Sequence, residues 1–333
     1  MKMKKLVVCM GCALPLLLAG CSSEDGVDTS VKNGLVEISM SSGIESASTG
    51  TRGAGMIKNT LANDLSVSFV RADEESAGTY GTFGTTALAG TVASSDNKLS
   101  FTPTAYYLAN GGKSKLIGWY PNGGTYAQAG RTVTFSNVDG STDIMVTELK
   151  EGNKTTPIAS MTFSHVLTQI SVKAYAADAD AKTVWGGIKS IKIKGKKQNC
   201  VITLPESSAT SEAKASAAFN GSDDLDLVKN NPADNAAIDY SSTKPLALST
   251  ASASPTLAGY AMFAPVAAAS DAKITLSIEM ENGTLEQGIT LAAGYLASNS
   301  YVITLKFSTI GIAPTITIGD WVTATAPGEV VIQ

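Results

Sequence analysis

Apolar and polar residues alternate with a period of two along most of this chain, the spacing that sends successive side chains to opposite faces of a strand. Leu65, Val67 and Phe69 alternate with Ser66 and Ser68, and Val133 and Phe135 with Thr132 and Thr134. Ile170, Val172 and Ala174 oppose Gln169, Ser171 and Lys173, and Ile191 and Ile193 oppose Lys192 and Lys194. The clearest runs lie in the final third: Ile274, Leu276, Ile278 and Met280, then Tyr301, Ile303, Leu305 and Phe307. Asn110-Gly111-Gly112, Pro121-Asn122-Gly123-Gly124, Asp139-Gly140 and Glu281-Asn282-Gly283-Thr284 separate the runs with turn chemistry. No long segment after residue 20 shows a 3.6-residue period, so the chain is expected to be all-β and built of sandwiches. The stretch 206–243, rich in Ser, Ala, Asp and Asn, reads as a long surface loop insertion with a short helix near Glu212 to Phe219.

The first fifty residues depart from this pattern. Lys2, Lys4 and Lys5 precede an apolar run from Leu6 to Leu18 that is too short to span a bilayer. Leu18-Ala19-Gly20-Cys21 closes it with small residues before a cysteine, the requirement of a lipoprotein signal peptidase. Residues 1–20 are therefore expected to be a signal peptide and Cys21 the lipidated start of the mature chain. Gly34 to Met40 then alternates as a strand with Val36, Ile38 and Met40 on one face. From Ser41 onward the pattern is lost in a Ser- and Gly-rich linker that ends at Arg52-Gly53-Ala54-Gly55. The chain has three arginines, and Arg71 and Arg131 fall at strand positions, which leaves Arg52 the open one. Residue logic leaves two uses of Arg52 open, a protease site and an uninvolved linker charge.

Composition narrows the function classes. Of 333 residues, 44% are hydrophobic and 16% charged, which fits a folded exported protein and not a disordered one. Without Lys2, Lys4 and Lys5 the chain holds 22 basic and 29 acidic residues, a formal charge of −7, which argues against nucleic acid as a partner. Cys9 and Cys12 leave with the signal and Cys21 takes lipid, so Cys200 remains as one thiol on a strand face with Ile202 and Leu204, expected to be buried. The single histidine, His165, excludes a zinc site built on two histidines and reads as a packed strand residue. Asp223, Asp224 and Asp226 lack the spacing of a calcium loop, and no glycine-rich phosphate loop opens a helix. The expectation is a non-enzyme with no metal and no cofactor. Trp119-Tyr120, Trp185 and Trp321 are the aromatics a glycan-binding surface would use, with core packing as the competing use.

Three stretches resemble the fimbrillins, subunits of the type V pili of Bacteroidota, including the fimbrillin-like and minor-fimbrillin-like lipoproteins. They are the lipobox Leu18 to Cys21 followed by a strand and Thr51-Arg52-Gly53-Ala54, the segment Thr162-Phe163-Ser164-His165 running to Val172, and Gly294-Tyr295 through Tyr301 to Ile316 and Trp321. The resemblance implies two tandem transthyretin-like β-sandwiches, spanning 53–157 and 158–333, after a lipidated propeptide 21–52. It also implies export to the outer membrane, cleavage between Arg52 and Gly53, loss of the strand holding Val36, Ile38 and Met40, and assembly with other pilus subunits into a surface fimbrium. The donor candidate is the tail with Val330, Val331 and Ile332. A lipid-retaining anchor, a tip adhesin for a host or bacterial surface ligand, and a glycan-binding surface lipoprotein are the alternatives.

Overall fold

The computed structural model describes residues 31–32, 34–45, 61–232, 235–319 and 330–331. The signal peptide, Cys21, Arg52, Gly53, Trp321 and Ile332 lie outside them. In chain order the first half holds β1 (Val31–Lys32), β2 (Leu35–Val36), β3 (Met40–Ile44), β4 (Leu65–Ser76), β5 (Thr79–Tyr80), β6 (Leu88–Val92) and β7 (Lys98–Phe101). Then come β8 (Ser114–Tyr120), β9 (Thr125–Ala127), β10 (Thr132–Phe135), β11 (Met145–Thr147), β12 (Lys150–Gly152) and β13 (Ser160–His165). The second half holds β14 (Thr168–Ala176), α1 (Ala179–Trp185), β15 (Ile188–Thr203), β16 (Ser216–Asp226), β17 (Thr256–Phe263) and β18 (Lys273–Met280). It ends with β19 (Gly283–Thr290), β20 (Ser300–Ser308), β21 (Gly311–Gly319) and β22 (Val330–Val331).

The all-β expectation holds, but the first half is a barrel and not a sandwich. β4 pairs with β8, β8 with β11, β11 with β13, β13 with β3, β3 with β7, β7 with β6, and β6 returns to β4. Closure removes the open edges that a sandwich would leave unpaired. Alternation alone cannot separate the two architectures, because inward and outward residues alternate in both. The barrel interior is aromatic: Phe69 meets Phe101 and Phe163 edge-on, with centroids 5.4 and 6.1 Å apart. Gly118 on β8 makes room for this stack, since a Cβ there would lie 2.4 Å from the Phe69 ring. β13 belongs to the barrel although it follows residue 157, where the second sandwich was expected to begin.

The second half has two facing sheets. One runs β19-β18-β15-β10-β9 with β16 also on β15, and the other runs β17-β14-β20-β21-β22. Ile170, Val172, Phe263, Ile274, Leu276, Ile278, Ile303, Leu305 and Phe307 are buried in one core. The hairpin at Glu281-Asn282 forms as its turn residues predict, with Met280 opposite Gly283. β15 joins the two halves. Its start pairs with β18, and its end lies between β16 and β10, whose residues come from the first half of the chain. A third core forms there from Trp119, Val133, Phe135, Cys200, Ile202, Tyr260 and Met262. Cys200 is buried as expected, and burial pushes its thiol up to about 12.

The stretch 206–243 needs correction. The helix expected at 212–219 is absent, and β16 runs from Ser216 to Asp226 beside β15. Most of its side chains are exposed, so composition shows little of its role; its backbone satisfies the β15 edge. Asp224 and Asp226 face Lys194 and Lys192 across that pair at 3.3 and 3.5 Å.

Candidate assembly interface

The segment that was expected to be a removable strand fills one position of the barrel wall. Ile38, Met40 and Ile44 are buried, with at most 5% exposure, and Val36 is half-buried. They join Leu99, Phe101, Met161 and Phe163 in the barrel core. Burying each of the three is worth roughly 1.5–3 kcal/mol relative to exposure. The backbone is held as well. Tyr107 N–H donates to Val36 O (2.9 Å), Ile38 N–H to Ala105 O (2.8 Å), Ser41 N–H to Ala159 O (3.0 Å) and Glu45 N–H to Phe163 O (2.7 Å).

β3 runs parallel to β13, with Ser41 opposite Ser160 and Ile44 opposite Phe163, and antiparallel to β7, with Met40 opposite Leu99. Its boundary differs from the sequence expectation, since the ladder begins at Met40 and continues through Ser41-Ser42-Gly43 to Ile44. Sequence reading missed this part because a serine occupies an inward position. Ile44, two residues on from Ser42 and four from Met40, was the available signal.

The C-terminal donor candidates Val330 and Val331 pair antiparallel with β21, opposite Ile316 and Thr315. They form the outermost strand of their sheet. The tryptophans serve packing where they are described. Trp119 is fully buried. Trp185 donates from Nε1 to Ser308 O (2.7 Å) and meets Phe307 edge-on at 5.8 Å. These two indoles belong to different cores and share no cleft.

His165 and Asp143 form a buried pair in the barrel wall, with Nδ1 and Oδ2 2.8 Å apart. His165 O accepts from Ser298 Oγ at 3.1 Å, which ties β13 to the loop before β20. No group of three or more His, Cys, Asp or Glu among the described residues is arranged to hold a metal ion. No helix among the described residues is long and apolar enough to cross a membrane.

A seven-stranded barrel closed by an N-terminal strand and followed by a two-sheet half places the chain among the all-β proteins. The chain belongs to the fimbrillin-like family, whose model matches residues 55–321. The fold is similar to a candidate cell adhesion protein from Bacteroides uniformis at 16% identity, covering 87% of this chain and 100% of that one, with a TM-score of 0.57. It is also similar to a candidate cell adhesion protein from Bacteroides ovatus at 15% identity, covering 86% and 98%, with a TM-score of 0.52. No curated protein matches the chain.

Proposed function

We propose that this chain is a structural subunit of a cell-surface pilus that polymerises by exchanging a strand at the β3 position. On this reading Cys21 carries lipid to the outer membrane, and a protease cuts between Arg52 and Gly53. The segment holding Val36, Ile38 and Met40 departs, and a neighbouring subunit supplies the strand that replaces it. The observation that carries the reading is the seat of β3, whose neighbours on both sides are strands of the same barrel. Withdrawing it uncovers apolar side chains and unpaired backbone groups together, and an incoming strand repairs both. The family match supports the same division, because it begins at residue 55, just beyond Arg52.

A second reading, a subunit that keeps its lipid and anchors the filament, is favoured by β22, which pairs with its own β21 and leaves the donor candidate engaged. N-terminal sequencing of protein from sheared filaments and from the outer-membrane fraction separates the two. A filament form beginning at Gly53 is the expected result. A chain found only with acylated Cys21 at its start overturns exchange at β3 and leaves the anchor.

A further inference from the structure

We infer that the β3 seat accepts a strand with a small aliphatic residue where Ser42 now sits more tightly than it holds β3 itself. The incoming strand, on this inference, is aliphatic at four alternating positions, those of Ile38, Met40, Ser42 and Ile44. This rests on the strand-exchange reading above and specifies the partner that reading requires.

Ser42 is the inward residue between Met40 and Ile44 and is 6% exposed. Its N–H donates to Asn97 O at 2.7 Å, so the backbone is in place. Its hydroxyl is buried and finds no hydrogen-bond partner among the described residues. Met161 stands opposite it on β13, and Thr162 on the same strand has its hydroxyl 3.7 Å from where a Cβ on Gly43 would sit. A buried hydroxyl without a partner gives up its hydration and gains nothing in return, whereas a methyl group of similar size gains from burial.

Three of the four inward positions of this segment are therefore apolar and one is polar and unsatisfied. The remaining hold is modest: β3 has two register pairs with β7 and four with β13. Other buried polar groups without partners, such as Trp119 Nε1 and Tyr126 OH, lie on strands that stay within the body of the fold. Ser42 differs because it lies on the strand that exchange removes. A donor free of this defect displaces the segment without needing a longer ladder. A donor that takes the direction of β3 runs parallel to β13 and antiparallel to β7.

The test uses the full chain with a unique protease site placed within 48–55, so that cleavage leaves the first segment bound without a covalent link. Synthetic peptides covering Leu35 to Glu45 are then added: the natural sequence, Ser42→Ala, Ser42→Val, and Met40→Asp as a control. Release of the labelled original segment is followed by fluorescence anisotropy. The Ser42→Ala peptide is expected to displace it at about a tenfold lower concentration than the natural peptide, the effect of relieving one unsatisfied buried hydroxyl. The Ser42→Val peptide is expected to act at least as well as the natural one, and the Met40→Asp peptide not to act. Equal potency of the serine and alanine peptides, or a stronger serine peptide, overturns the inference. If no peptide enters, exchange at this seat fails as a reading, and Ser42→Ala in the intact chain still decides the matter. A raised denaturation midpoint of the barrel supports the defect at Ser42, and an unchanged or lowered one overturns it.

Discussion

The barrel and the two-sheet half use the same period-two alternation, yet they differ in how their last gap is closed. In the sandwich, β18 with β19 and β20 with β21 are hairpins whose partners follow each other in the chain. In the barrel, the gap between β7 and β13 is filled by a strand from well before either, and its link to β4 runs through 46–60, where Arg52 lies. A single cut within 46–60 therefore leaves a wall strand of the barrel with no covalent link to β4, whereas β14, β18 and β20 of the sandwich are each tied to the fold at both ends. On the strand-exchange proposal, this contrast is what lets a stable fold hold a replaceable part: the part contributes core side chains but is tied to the body of the fold on one side only.

The largest effect expected from breaking this comparison comes from the segment that holds β3. Ile38→Ala combined with Met40→Ala removes two fully buried side chains, at about 2–5 kcal/mol each before any coupling between them. Hydrogen exchange is expected to show β7 and β13 losing protection while β14 and β20 keep theirs. Uniform loss across all four strands would show that the two halves unfold as one unit through the shared core at Trp119, Cys200 and Met262.

A smaller effect, located in the other half, follows from Phe307→Ala. Phe307 is fully buried on β20 and supports the Trp185 ring. Its loss is expected to cost about 3–4 kcal/mol. Protection should fall in β14, β20 and β21, and the barrel should keep its seat for β3. Release of the first segment by this variant would mean that the sandwich helps to hold β3, contrary to the comparison.

How much of this was legible in the sequence follows from the same contrast. The β18 and β20 runs could be read residue by residue, because each has a buried face and an exposed face and the pattern needs no partner to be seen. The site was legible only in part. Val36, Ile38 and Met40 stood out, but Ser41 to Ile44 looked like linker because Ser42 breaks the apolar face. Closure of the barrel was not legible, since it depends on β3 reaching both β7 and β13, pairings far apart in the chain. β16 was hidden for the opposite reason: backbone pairing with β15 carries it, and its exposed side chains carry little of the pattern.

The smallest expected effect lies at the seam between the halves, around Glu151 on β12. Its carboxylate accepts from Lys113 Nζ at 2.6 Å and from the Tyr80 hydroxyl, and Lys115 Nζ lies 3.8 Å away. Lys115 is itself buried and donates to the carbonyls of Ser207 and Ala209, at 3.2 and 2.6 Å, which fastens the chain before β16 to the barrel. Burial pushes the Glu151 carboxyl up, but hydrogen bonds from Lys113 and Tyr80 and the two ammonium charges outweigh it, so the group sits below the ordinary value of 4.5. A carboxyl lowered in the folded state adds stability that is fully present above its unfolded value and is lost as pH falls through the folded one. The denaturation midpoint should therefore decline as pH drops below about 4.5, and Glu151→Gln should flatten that decline. At neutral pH the same substitution should cost on the order of 1 kcal/mol, since the pair is partly open to solvent. If the slope below pH 4.5 is the same in both proteins, Glu151 does not carry the acid sensitivity. The seam would then rest on the Lys115 hydrogen bonds and the buried core beneath them.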